Sequence, residues 1–231
     1  MMKKNKIVVL TGAGMSAESG LKTFRDADGL WEGHSIYDVA TPEAWQRNPQ
    51  LVNDFYNQRR QQLLQVVPNQ GHLALAQLED MAEVIIITQN VDDLHERAGS
   101  TQVLHLHGEL LKVRSSNNRH EIYPWTSDLS ATDVDQEGFP LRPHIVWFGE
   151  EVPALQAAAK LVQAADYVAV IGTSLQVYPA AGLLYEVRAA TPVWYIDPKP
   201  AAVPKAHFPL EVWQKTATVG VPEWVEMVRK F

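Results

Sequence analysis

Four consecutive β-branched residues, Val84-Ile85-Ile86-Ile87, constrain the fold more than any other stretch of the chain. A run that is apolar at every position, not at alternate ones, fits a strand covered on both faces, as in a parallel sheet. In an open α/β sheet the loop at the carboxyl end of such a strand faces the ligand crevice. Here that loop reads Thr88-Gln89-Asn90-Val91-Asp92-Asp93-Leu94-His95. Gln89 and Asn90 can each donate and accept, and Asp92 accepts strongly, a set suited to a ligand that itself bears a carboxamide. Asn and Asp also cap helices, and the residues alone leave both readings open.

A second apolar run, Lys6-Ile7-Val8-Val9-Leu10, empties into Thr11-Gly12-Ala13-Gly14-Met15-Ser16-Ala17. That fits G-x-G-x-x-G/A between a strand and a helix, the dinucleotide-binding turn. Its glycines let backbone close on a pyrophosphate at a helix N-terminus. No second strand ending in Asp or Glu follows within about 20 residues, as a hydride-transfer dehydrogenase requires. The expected ligand is therefore a dinucleotide that does not serve ordinary hydride transfer. In Val103-Leu104-His105-Leu106-His107-Gly108-Glu109 the two histidines alternate with leucine and project to one side of an extended segment. A histidine at a strand end suits a general base near neutrality; a hydrogen-bonded structural histidine is the alternative for either, and His107 is the better candidate beside the other two loops.

Five ordered segments, GAGMSAESGLKTFR, TQNVDDLHERAG, LHLHGE, IVWFGE and GTSLQVYPAAG, together resemble the sirtuin family of NAD-dependent protein lysine deacylases. The resemblance covers nearly the whole chain and is strongest to compact bacterial members of the desuccinylase-related class. It implies NAD as cofactor and acylated-lysine proteins or peptides as substrates. The implied products are nicotinamide, O-acyl-ADP-ribose and deacylated lysine. By the same resemblance His107 is the base, while Asn90 and Asp92 act at the nicotinamide end beside Gln89. Gly12, Ala13, Gly14, Ala17, Thr23, Phe24 and Arg25 line the phosphates and nearby ribose, with Gly172, Thr173 and Ser174 opposite. Asp197 stands at the adenosine ribose, where the family usually has Asn, and its charge disfavours a 2′-phosphate. Ala217 matches the late adenine contact, although the glycine usually near it is absent. Val146, Phe148 and Gly149 belong to the segment that pairs with an extended peptide.

Tyr56 and Arg59 fall at i and i+3 of an expected helix and so share a face. A phenol and a guanidinium can together hold a carboxylate; a core aromatic beside an exposed arginine is the plainer reading. The resemblance assigns this Tyr-x-x-Arg to the distal carboxylate of succinyl- or malonyl-lysine, with Ala40 leaving room.

The 231 residues are 46% hydrophobic and carry a net charge of −7, enough for a full core and unlike a basic nucleic-acid binder. No membrane or nucleic-acid partner is expected, and a cytoplasmic location fits the absence of cysteine. Sirtuins usually hold a structural zinc on four cysteines between the catalytic histidine and VWFGE. Here Arg114-Ser115-Ser116-Asn117-Asn118-Arg119-His120 occupies the first pair's place. His120, His144, Asp128 and Asp133 are irregularly spaced for a tetrahedral site. No zinc is expected, and Tyr123, Pro124, Trp125 and Phe139 are the candidate replacement core.

The expected architecture is α/β: a Rossmann-like parallel sheet with helices on both faces plus a smaller inserted domain. Residues 1–30, 83–107 and 146–231 would form the NAD-binding domain, and 31–82 with 108–145 the insertion. Strands are expected at 6–11, 84–88, 102–106, 167–171 and 193–196. Helices are expected to start at 13 and to span about 49–66, 153–165, 179–190 and 222–230, with another starting near 70. Two other functions use the same features: NAD hydrolysis or ADP-ribosyl transfer, and non-catalytic NAD sensing. The retained peptide segment and Tyr56/Arg59 argue against the first, and joint retention of Arg25, Asn90, Asp92 and His107 against the second. Oligomeric state is not legible.

Overall fold

Alternation within the apolar runs gives the main sheet a core on each face. Val84 and Ile86 point to one face of the sheet and Ile85 and Ile87 to the other, as do Ile7 and Val9 against Val8 and Leu10. In this computed structural model, which describes residues 4–22, 33–203 and 206–230, the main strands are β1 (Lys6–Thr11), β2 (Glu83–Thr88) and β3 (Val103–His105). The three-stranded sheet comprises β4 (Gly108–Ser115), β5 (Ile122–Pro124) and β6 (Leu141–Ile145), and the main sheet is completed by β7 (Tyr167–Ile171), β8 (Val193–Ile196) and β9 (Leu210–Trp213). The helices are α1 (Ile36–Val39), α2 (Pro42–Arg47), α3 (Pro49–Gln65), α4 (Gln70–Leu78), α5 (Leu94–Ala98), α6 (Leu155–Gln163) and α7 (Ala217–Val228).

The main sheet is parallel throughout, in the order β3-β2-β1-β7-β8-β9. One core packs α4 and α7 on its first face through Leu75, Leu78, Val221 and Trp224. The other packs α6 through Ala158 and Val162, with Leu183 and Leu184 beside them. Strand order reverses between β1 and β7, the switch point where such sheets open a crevice. This is the expected α/β architecture with a smaller antiparallel sheet.

Several local expectations are corrected. The turn after β1 is two 3-10 turns, Ala13–Met15 and Ala17–Ser19, not an α-helix. The segment expected as a helix from 179 is also 3-10, over Ala180–Glu186. The last helix starts at Ala217, so Pro222 lies inside it instead of opening it. Strand β9 was not anticipated. Helix α3 begins as expected, with Asn48 accepting from Leu51 N (3.1 Å) and Pro49 in the first turn.

The three-stranded sheet, ordered β5-β4-β6, is built from the stretch in which the resemblance would put a zinc module. Its core is Val113, Leu129 and Leu141 with Tyr123 and Trp125 against them; Pro124 and Phe139 are exposed and contribute little. Hydrogen bonds tie the turns together in place of thiolates. Ser115 Oγ donates to Asp135 Oδ2 (2.5 Å) while accepting from the amides of Asn117 and Asn118. Asp135 Oδ1 in turn accepts from the amides of Glu137 and Phe139, so one hydroxyl–carboxylate contact joins two turns. Helix α3 anchors the module. The Asn57 amide pairs with Leu129 like a strand neighbour, donating to its carbonyl (3.0 Å) and accepting from its N–H (2.8 Å). Arg60 donates to Leu110 O, Asn57 Oδ1 and Ser127 O, and its burial lowers the guanidinium pKa to about 10.

Among the described residues no group of three or more His, Asp or Glu is arranged to hold a metal. Asp133, one candidate ligand, is occupied in capping Ser130 at 2.7 Å. Elemental analysis of the purified protein is expected to give far less than one zinc per chain, with an unchanged melting temperature in chelator. Structural zinc contributes directly to folding free energy, so stoichiometric metal and chelator-sensitive melting would overturn this assignment.

Candidate active site

A cavity of about 580 Å³ opens at the carboxyl ends of β1, β2, β7 and β8. Its sheet side carries Gly12, Ala13, Gly14 and Ala17, then Gln89, Asn90 and Asp92, then Gly172, Thr173 and Ser174, and finally Asp197. Its other side carries Ala40, Tyr56 and Arg59 with Val146, Phe148 and Gly149, and His107 lines it too. Ala217 does not; it is buried in the core, and Thr216 stands at the cavity instead. Thr23, Phe24 and Arg25 lie outside the described residues.

The glycines of the first loop meet protein. Gly12 N donates to Ile171 O (3.1 Å) and Gly14 N to Gly172 O (2.8 Å). A Cβ on Gly14 would stand 2.7 Å from Gly172 Cα, and Gly172 itself has φ of +61° with Met15 N only 2.3 Å from its Cβ position. The loops after β1 and β7 are thus pressed backbone to backbone across the switch point, which holds the cradle's shape without a ligand.

The loop after β2 is knitted to the first by Ser16. Ser16 Oγ donates to Asp92 Oδ2 (2.9 Å) and accepts from Asn90 Nδ2 (3.2 Å), which also donates to Gly12 O. Asp92 Oδ1 accepts from Leu94 N at the head of α5 (3.1 Å); the N-cap of that helix is Asp93, whose side chain makes no capping bond, and Asp92 also lines the cavity. Burial raises the Asp92 pKa, opposed by its bonds from Ser16 and Leu94. Gln89 Nε2 reaches Thr173 Oγ1 at 3.2 Å, joining a third loop.

The two histidines have opposite fates. His105 Nδ1 meets the Asn90 carbonyl (3.0 Å) and Nε2 meets the Glu96 carboxylate (2.8 Å). A carbonyl and a carboxylate are both acceptors, so these contacts favour the ring with hydrogen on both nitrogens. Burial alone would lower its pKa, but Glu96 and the Asn90 carbonyl outweigh burial and raise it. His107 Nδ1 donates to Gln89 O (3.0 Å), and its pKa is lowered by burial, only partly offset by that bond. It is therefore a neutral imidazole whose remaining nitrogen, Nε2, holds a lone pair on a side chain that lines the cavity. The residues after it are set by Gly108, at φ of +85° with His144 O 2.0 Å from its Cβ position, and by Val146 N bonding to His107 O (2.9 Å).

At the far end Tyr56 and Arg59 come together as the helical spacing requires, both buried. The Arg59 guanidinium lies 3.6 Å over the Phe55 ring and donates to the Phe55 carbonyl (2.9 Å). Phe148 N bonds to Ala40 O (3.0 Å), fixing segment 145–150 against the turn after α1. Ser16 and Glu150, which also line the cavity, were given no role from the sequence, and Trp147 entered only as part of the peptide-pairing segment 146–149. Each lay inside a motif already singled out, but their partners are distant in sequence.

The Sir2 family profile matches residues 12–179 of this chain. The chain belongs to the Sir2 family. It is 58% identical over 206 residues to the NAD-dependent protein deacylase of Helicobacter pylori strain 26695, covering 89% of each chain. It is 52% identical over 228 residues to the NAD-dependent protein deacylase of Bacteroides thetaiotaomicron, covering 96% of this chain and 97% of the relative. Among solved structures, a Sir2 homologue in complex with NAD superposes with a TM-score of 0.86 at 39% identity, covering 98% of this chain and 90% of that one. The donor set of this Sir2 chain fits NAD: an amide and carboxylate at one end, glycine backbone and hydroxyls between, and a carboxylate at the other end where a ribose diol can donate.

Proposed function

We propose that this chain is an NAD-dependent protein lysine deacylase that yields nicotinamide, O-acyl-ADP-ribose and deacylated lysine. The observation that carries the reading is His107, a neutral imidazole with its acceptor nitrogen left over, on the cavity shared with the Asn90–Asp92 loop. When bound, NAD supplies the ribose carbon and hydroxyl that take up the acyl group. Asn90 and Asp92, with Gln89, hold the nicotinamide end. Gly12, Ala13, Gly14, Ala17, Thr173 and Ser174 bind the phosphates with Gly172. Asp197 accepts from the adenosine ribose and, by its charge, excludes a 2′-phosphate. Thr23, Phe24 and Arg25 are assigned to NAD by family resemblance, and Thr216 takes the cavity position that the resemblance gave to Ala217. His107 accepts a ribose hydroxyl proton at Nε2. Val146, Phe148 and Gly149 pair with the backbone of the acyl-lysine peptide, a mode indifferent to most side chains.

The acyl group enters toward Tyr56 and Arg59, where a phenol and a guanidinium in a buried setting suit a distal carboxylate. Succinyl- and malonyl-lysine are therefore proposed as substrates beside acetyl-lysine. In this reading residues 1–30, 83–107 and 146–231 form the NAD-binding domain, 31–82 with 108–145 the smaller one, and the enzyme works in the cytoplasm. No helix among the described residues is long and apolar enough to cross a membrane.

Mass spectrometry of one peptide carrying acetyl, succinyl or no acyl group, with and without NAD, tests the proposal. Deacylated peptide and O-acyl-ADP-ribose are expected in equal amounts and only with NAD. Free ADP-ribose without deacylation would indicate an NAD hydrolase, and NAD binding without turnover a sensing module.

A further inference from the structure

We infer that Trp147 is a positioning residue for acyl-group selection, setting the direction in which the Tyr56 hydroxyl donates; this rests on the acyl-pocket reading above. The indole Nε1 of Trp147 donates to Tyr56 Oη at 3.0 Å, a buried bond between residues 91 apart in sequence. A phenol hydrogen has two favoured orientations in the ring plane. An oxygen that accepts from an indole N–H directs its own hydrogen away from that N–H. Burial raises the Tyr56 pKa, against the lowering effect of the Trp147 bond, so the group stays a protonated donor. A carboxylate, which only accepts, can then take one bond from Tyr56 and more from Arg59.

The indole is itself clamped. Its backbone N–H donates to Glu150 Oε2 (2.8 Å), and Arg142 lies 3.3 Å over its ring. Arg142 donates to both Glu150 oxygens (2.9 and 3.1 Å) and to Ile145 O, and Arg114 adds a further bond to Glu150 (2.9 Å). Two arginines and one carboxylate thus hold a tryptophan whose side-chain N–H goes to Tyr56, so the bracing converges on the pocket's phenol.

The test is the ratio of kcat/KM for succinyl-lysine to that for acetyl-lysine on one peptide. Trp147→Phe keeps an aromatic ring under Arg142 and removes the N–H. It is expected to lower the ratio about five- to tenfold, the worth of one hydrogen bond. In a Tyr56→Phe background it should lower the ratio no further, because the two changes act through one contact. If Trp147→Phe does not fold, benzothienylalanine at 147, which replaces the indole N–H by sulfur at nearly constant shape, should give the same result. A ratio unchanged in these variants but lowered by Tyr56→Phe would overturn the role of Trp147 and leave the pocket standing. An equal fall with and without Tyr56 would also overturn it. A parent enzyme without succinyl turnover would remove the pocket reading, and this inference with it.

Discussion

Replacing His107 with Ala or Tyr is expected to lower acyl-peptide turnover by about 10²–10⁴-fold, the usual contribution of a general base. NAD binding and melting temperature should stay near those of the parent, because Gln89 loses one bond to its carbonyl while the loops after β1 and β7 remain pressed together. Steady-state kinetics with isothermal titration of NAD measures both. The acid limb of kcat/KM provides a second check. A base works only when deprotonated, so activity falls as pH drops through its pKa. Burial lowers the His107 pKa, and the midpoint of that limb is expected below the ordinary histidine value of about 6.5. Activity within a few-fold of the parent would exclude His107 as the base. His105 could not replace it readily, since Glu96 and the Asn90 carbonyl engage both of its nitrogens.

Arg59→Met should shift substrate choice, by less than His107 variants lower the rate. A hydrogen bond to a charged group is worth about 1.5–3 kcal/mol, roughly ten- to hundredfold in kcat/KM. The succinyl-to-acetyl ratio should fall by that amount, because an acetyl group presents no carboxylate to the guanidinium. Met keeps an unbranched stem but gives up the guanidinium's contact with the Phe55 ring; that loss falls on both acyl groups alike, so the ratio still reports on the carboxylate. Tyr56→Phe should act in the same direction but less. A parallel loss on both acyl groups would show that the residues support the fold and do not read the substrate.

The main sheet was legible because its strands are apolar on both faces and end in loops of distinctive chemistry. Strand β9 was not, since Leu210-Glu211-Val212-Trp213 is an edge with exposed positions and lacks a continuous apolar run. The 3-10 segments after β1 and from Ala180 escaped notice because the hydrophobic pattern of a short stretch does not distinguish them from α-helix. The residues at the strand ends were readable for a similar reason to the strands: topology alone brings them to one crevice. Contacts such as Ser16 to Asp92, 76 residues apart, depend on how two loops dock, which no local pattern encodes. The cysteine-free module was readable only through the residues it lacks. The knot formed by Ser115 and Asp135 uses residue types common in any turn.

Helix α3 is committed on two sides over a span of five residues. Tyr56 and Arg59 face the cavity, Asn57 and Arg60 hold the three-stranded sheet, and Gln58 alone is exposed. Sliding the sequence one position toward the carboxyl end would carry Tyr56 and Arg59 to the anchor positions, and one position the other way would carry Asn57 and Arg60 to the cavity positions. An insertion or deletion within this helix is therefore expected to disturb the cavity lining and the seating of the three-stranded sheet together.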